Sequence, residues 1–150
     1  MADSDAPVSF DADAAVAAVH DAFDDGSDLH VVAAFTRDAY DIVYCDEVTE
    51  SLYADRGEMS EHFDQIHDYA GIDFSEIGLF VDELFPGAGG VEHIATTMEH
   101  LTIVRMYAGN DGLLLTLDPS ADVAAAVEAV RDAIDPELGA TGDALSASGR

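Results

Sequence analysis

The chain has no lysine and no tryptophan, and only one cysteine and four prolines in 150 residues. Without lysine, its basic side chains are five arginines, set against 32 Asp and Glu for a net charge of −27. Cations this few and this scattered do not neutralise a phosphate backbone, which excludes direct nucleic-acid binding. A lone Cys45 closes no internal disulfide, which fits a reducing cytoplasm. No run approaches the roughly 20 apolar residues that cross a bilayer. The acidic opening MADSDAPVSF lacks a basic segment followed by an apolar run, so no signal peptide is expected. These absences imply a cytoplasmic protein that contacts neither membrane nor nucleic acid.

What is there is acid, laid over ordinary apolar patterning. A surface this negative repels itself in dilute buffer and strains the compact state. In molar salt the Debye length shrinks to roughly 3 Å, and surface carboxylates scarcely interact. The composition therefore predicts a halophilic protein that loses structure as salt is removed. With 49% hydrophobic residues the chain still has enough apolar side chains for a core, and its length suits one domain.

The pattern predicts a flexible lead-in over 1–9, one α/β domain over 10–135 and a disordered tail over 136–150. Ser9 or Asp11 can cap a first helix with Val16, Val19 and Phe23 on its apolar side, stopped by Gly26. Leu29–Phe35 and Ile42–Cys45 read as two strands of an antiparallel hairpin. Helical spacing then runs from Glu47 to about Phe85. Met59, Phe63, Ile66 and Tyr69–Ala70 share one face, with Gly71 as a stop. A second piece follows, carrying Phe74, Ile77 and Val81, capped by Asp73 or Ser75 and ended by Pro86-Gly87, although Leu79-Phe80-Val81 reads equally well as extended. Three strands follow the PGAGG loop: His93–Met98, Leu101–Tyr107 and Leu113–Leu117, the last two joined by a turn at Asn110-Asp111-Gly112. A final helix carries Val123, Val127, Val130 and Ile134 and stops before Pro136.

The expected fold is thus a single five-stranded antiparallel sheet flanked by helices, in the order α-β-β-α-(α)-β-β-β-α. Over residues 11–134 this order resembles the roadblock/longin-like class of small α/β modules. The hairpin AAFTRDAYDIVYCDE and the segment NDGLLLTLDP are similar to those of small, acidic, uncharacterised haloarchaeal proteins. The resemblance to roadblock-like modules implies a non-enzymatic regulator or scaffold that dimerises and binds protein partners, often beside small GTPases.

The residues themselves offer little chemistry. His62 and His67 are five apart, which does not place them on one helix face, and no HExxH or CxxC occurs, so no metal or other cofactor is expected. Glu58 and His62, four apart, are close enough to share a hydrogen bond. Acidic neighbours raise the Cys45 thiol pKa, which argues against a nucleophile. PGAGG lacks the GK[ST] ending of a phosphate loop. No catalytic residue is assigned. Arg105 stands out as a charge inside the apolar run LTIVRMY, on one face with Ile103 and Tyr107. It is either paired with a carboxylate of a neighbouring strand or placed in a dimer interface or ligand groove. The leading expectation is a scaffold or regulatory module acting as a homodimer and binding a further protein, through helix 58–70 or the last strands. The alternative is a small-molecule sensor with a pocket between sheet and helices, lined by Tyr44, Tyr69, Tyr107 and Arg105.

Overall fold

The structure is a computed structural model, described here over residues 7–23 and 28–134. The expected tail at 136–150, most of the lead-in, the Gly26 stop and the Pro136 stop lie outside the described residues. Helix α1 spans Ala12–Ala22, followed by strands β1 (Leu29–Thr36) and β2 (Tyr40–Cys45). A one-turn helix α2 (Glu47–Glu50) leads into the long α3 (Arg56–Leu79), which runs on as a π-helical turn over Phe80–Leu84. Strands β3 (His93–Thr97), β4 (Thr102–Ala108) and β5 (Asp111–Leu117) follow. The described chain ends in helix α4, residues 123–134. The acidic composition serves local structure here: Asp11, Asp46, Asp55 and Asp122 each accept a backbone N–H at the start of α1, α2, α3 and α4.

The five strands form one antiparallel sheet in the order β2-β1-β5-β4-β3. The chain therefore crosses from one edge to the other between β2 and β3, and α3 makes that crossing. On one face of the sheet, α1 lies over β1 and β2, which leaves β5 and β4 to α4. Val19 of α1, Phe23 just after it, and Ala126, Val127, Val130 and Ile134 of α4 pack there with Val32, Ala34, Val104, Met106, Leu113 and Leu115. On the other face α3 packs alone. Its core is Ala33, Phe35, Ala70 and Leu114, bordered by Tyr40, Ile66, Phe74, Ile103 and Tyr107.

Three expectations about boundaries give way. Gly71 does not stop α3, nor do Asp73 or Ser75 cap a second helix: one helix of 24 residues runs through Gly71 and Gly78. Glycine disfavours a helix by only about 1 kcal/mol relative to alanine, and the pairing of Asp73 with β4 holds this stretch down. Tyr69 leaves the face shared by Phe63 and Ala70 and is exposed. The β4–β5 turn is the two-residue pair Gly109-Asn110, closed by Ala108 opposite Asp111. Gly109 supplies its positive φ of 63°. Gly112 instead lies opposite Phe35, where an added Cβ would sit 2.4 Å from the ring.

Candidate interaction surface

The site is built on α3. Its path follows from a row of paired residues at one end of the sheet: Tyr40 opposite Phe35, Phe35 opposite Gly112, Gly112 opposite Tyr107. The bare Gly112 lets the Phe35 ring reach across to Tyr107, with centroids 6.0 Å apart. Phe74 of α3 packs edge-on against both rings, at 5.9 Å and 5.4 Å.

Two anchors fix the helix on this row. At its N-terminal half the Tyr40 hydroxyl donates to Asp64 Oδ1 at 2.7 Å, and the His67 ring donates through Nε2 to the Thr36 carbonyl at 2.7 Å. Farther along, Asp73 is buried and accepts from Arg105 Nη1 at 2.6 Å and from the Tyr107 hydroxyl, both on β4. Burial, then the hydrogen bond to Asp73, pushes the Tyr107 hydroxyl far above the ordinary phenol range. Arg105 therefore turns inward under the helix. Its partner is a helix carboxylate and not one on a neighbouring strand.

The spacing of the anchors fixes where the helix leaves the sheet. From Ser60 and Asp64, both bonded to Tyr40 of β2, to Asp73, bonded to β4, is about 11 residues, or roughly 16 Å of helix. From β2 to β4 is three strand spacings, or about 14 Å. The helix thus runs nearly square to the strands and passes the edge strand β3 at about residue 77. Everything after that overhangs.

From Tyr69 onward the helix carries exposed apolar side chains on its outside, two before it passes β3 and two in the overhanging part. Tyr69, Ile72, Leu79 and Phe80 fall in one stripe at helical spacing, turned well away from the stripe of Ile66, Ala70 and Asp73 that meets the sheet. All four are exposed, as are Leu84 and Phe85 in and after the π turn, with Phe85 at 61%. The N-terminal half of the same outer stripe carries Glu58, Glu61 and Gln65. From Tyr69 on, the outside of α3 is mainly apolar, with the exposed Glu76 inside the stripe between Ile72 and Leu79. Beside it, β3 is an open edge: its five residues HIATT are exposed except for the half-buried Ile94. It carries no carboxylate, no proline and no bulge, the devices that usually protect an edge. The opposite edge, β2, has Asp41 and an irregular register against β1. A smaller apolar pair, Val48 and Leu52, is exposed beside α2.

The four residues considered for a ligand pocket do not converge. Arg105 and Tyr107 meet under α3. Tyr44 packs on the opposite face of the sheet, edge-on to His20 of α1 at 4.7 Å, and Tyr69 faces outward. Tyr107 borders a cavity of about 370 Å3 between α4 and the β4–β5 turn, and Tyr44 a groove of about 590 Å3 beside β2. Neither Arg105 nor Tyr69 lines either space. A pocket shared by all four is ruled out by the sheet between them.

The other candidates have structural uses. Burial, then Glu50 and Asp46, pushes the Cys45 thiol up to about 11, so it is not a thiolate at neutral pH. His62 Nδ1 meets the Tyr53 hydroxyl at 2.6 Å, and Glu58 accepts from the Ala54 amide, so these two do not pair with each other. Among the described residues no group of three His, Cys, Asp or Glu is placed to hold a metal ion, and no helix is long and apolar enough to cross a membrane. The sequence pointed to helix 58–70 or the last strands and missed 72–85, because splitting α3 at Gly71 hid the stripe that continues through it.

Comparison with solved structures supports the fold. The crystal structure of a Roadblock/LC7 domain from Streptomyces avermitilis aligns with a TM-score of 0.52 at 12% identity, covering 79% of this chain and 87% of that one. The chain has a roadblock-like fold. No protein-family model matches the sequence, and no curated protein does.

Proposed function

We propose that this chain is a non-enzymatic protein-interaction module, a regulator or scaffold, that works as a homodimer in a cytoplasm of molar salt. Two copies pair along their β3 edges, with the overhanging ends of their α3 helices packed together on one side of the joined sheet. The observation that carries this reading is the outer, mainly apolar stripe of α3, which runs out past an unprotected sheet edge. Six large apolar side chains in one exposed patch exceed the scattered exposure of a monomer surface. Pairing at β3 hydrogen-bonds the free edge, and packing of the stripes covers the apolar surface. The roadblock-like fold supports the reading, since the modules it resembles typically dimerise. The acidic composition, shared with the haloarchaeal proteins that the hairpin and the NDGLLLTLDP segment resemble, supports the salt environment.

The test is light scattering coupled to gel filtration in 2–3 M KCl (about tenfold or more above the salt that already screens exposed pairs). The wild-type chain is expected to elute as a dimer. The double variant Phe80→Asp, Leu84→Asp is expected to elute as a monomer with an unchanged circular dichroism spectrum. A monomeric wild-type chain, or a double variant that stays dimeric, overturns the assignment of this surface.

A further inference from the structure

The cavity beside the β4–β5 turn has no part in the proposed dimer surface. It lies on the two-helix face, where the last turns of α4 pass over the end of the sheet. Phe10, Met106, Leu113, Val130 and Ile134 enclose it with apolar side chains, all of them buried. The space exists because the floor runs out of side chains. After Met106 the next position on this face of β4 is Ala108, and Gly109 follows in the turn. The volume of about 370 Å3 is within the range of small-molecule sites. At about 30 Å3 for each water-sized group, it has room for about a dozen non-hydrogen atoms.

A pair of opposite charges stands at the rim. The Tyr107 amide donates to the Glu92 carbonyl at 3.0 Å, which continues the β3–β4 pairing one residue upstream of β3. Glu92 then reaches α4, where its Oε1 accepts from Arg131 Nη1 at 2.6 Å. That single contact leaves capacity on both groups. Glu92 Oε2 and the other guanidinium N–H groups of Arg131 are bonded to no described residue. Both side chains are about half exposed, and an exposed pair contributes little stability, less still in molar salt. Stability therefore gives little reason for a pair at this place.

A ligand suited to the site has an apolar body and carries one negative and one positive group together at one end. We infer that the cavity binds a free apolar α-amino acid of the size of leucine or phenylalanine. Its side chain enters between Met106 and Ile134. Its carboxylate accepts from the unused N–H groups of Arg131, and its ammonium donates to Glu92 Oε2. The apolar body supplies affinity that salt does not screen. The rim selects through charge-assisted hydrogen bonds of about 2.8 Å, inside even the roughly 3 Å Debye length of molar salt. The site lies within one chain and does not rest on the pairing of copies.

Calorimetry in molar KCl tests the inference, with L-leucine and L-phenylalanine as probes of the full chain. The expected result is saturable binding of at least one of them, at one molecule per chain. Leucinamide lacks the carboxylate and isocaproate lacks the ammonium. Each is expected to bind roughly tenfold more weakly than leucine, the worth of one hydrogen bond between charged groups. Ala108→Leu fills the floor and is expected to abolish binding with an unchanged circular dichroism spectrum. Arg131→Met keeps a long side chain but removes the guanidinium. It is expected to weaken leucine binding roughly tenfold without weakening that of leucinamide, so that the preference for the free acid disappears. An ion pair that only held the cavity in shape would lower both affinities alike. No binding of either amino acid, binding that Ala108→Leu leaves intact, or equal affinity for leucine, leucinamide and isocaproate overturns the inference. None of these results bears on the dimer, which light scattering reports separately.

Discussion

The two faces of the sheet are built by different rules. Under α1 and α4 the core is apolar apart from the buried Thr102: Ala15, Val19, Val32, Ala126, Val130 and Leu115 are wholly enclosed. Under α3 the core is thin, and polar anchors share the task of placing the helix: Tyr40 to Asp64, His67 to Thr36, Arg105 and Tyr107 to Asp73. Hydrophobic burial is non-directional, so a face that only has to be covered can rely on it. The α3 face has a second requirement. The helix must lie at one angle, so that its far end and its outer stripe arrive together at the β3 edge. Hydrogen bonds and ion pairs fix direction in a way that apolar contact does not.

The sharpest break of that comparison uses two neighbours on β5. Leu115 points to the two-helix face and Leu114 to the α3 face. Leu115→Ala is expected to cost about 4 kcal/mol and Leu114→Ala about 2 kcal/mol, because the looser site relaxes around the lost atoms. Denaturant unfolding in high salt measures both, and equal losses would remove the distinction between the faces. Next in size is the anchor. Asp73→Ala leaves the Arg105 charge largely buried without its partner and is expected to cost about 3 kcal/mol. The triple variant Asp73→Leu, Arg105→Met, Tyr107→Phe, which also removes the hydroxyl that donates to Asp73, is expected to recover most of that stability, since an apolar set of similar size packs without desolvating charge. The recovered protein is nevertheless expected to dimerise more weakly than wild type. Should it dimerise as well, the ion pair is not what aims α3.

The two faces also differed in how much of them the sequence disclosed. On the two-helix face the stripe Val123, Val127, Val130, Ile134 and the strand runs are regular apolar patterns, and each was legible as an element with a core side. The order of elements then led to the sheet and to the roadblock-like arrangement. On the α3 face the decisive features are pairings between residues far apart in the chain, such as Asp73 with Arg105, 32 positions away. With 32 acidic residues available, no local pattern singles out the one carboxylate that is buried. Arg105 was conspicuous because a charge interrupts an apolar strand, but only the packing shows that it turns in toward the helix. Gly71 looks like a break by propensity, yet a weak local preference yields to a helix held on both sides of it, by His67 and Asp73. The outward stripe from Tyr69 to Phe80 could have been found by carrying the 3.6-residue period through Gly71.

The smallest expected effect tests the anchor at the other end of α3. Burial, and then the hydrogen bond and charge of Asp64, pushes the Tyr40 hydroxyl up to about 12 from an ordinary value of 10.0. The folded protein therefore keeps this proton between about pH 10 and 12, whereas the unfolded chain releases it near 10. The folded state binds more protons in that window, so the stability the bond contributes is fully present below pH 10 and is lost as pH rises toward 12. Tyr40→Phe is expected to cost about 1 kcal/mol at pH 8, the net value of an ordinary side-chain hydrogen bond. It is also expected to make the decline between pH 10 and 12 shallower than in wild type. Tyr107 remains in both proteins, so its titration cancels in the difference. Parallel declines would mean that the proton on Tyr40 is not held by Asp64, and that the N-terminal half of α3 rests on its apolar contacts and on His67.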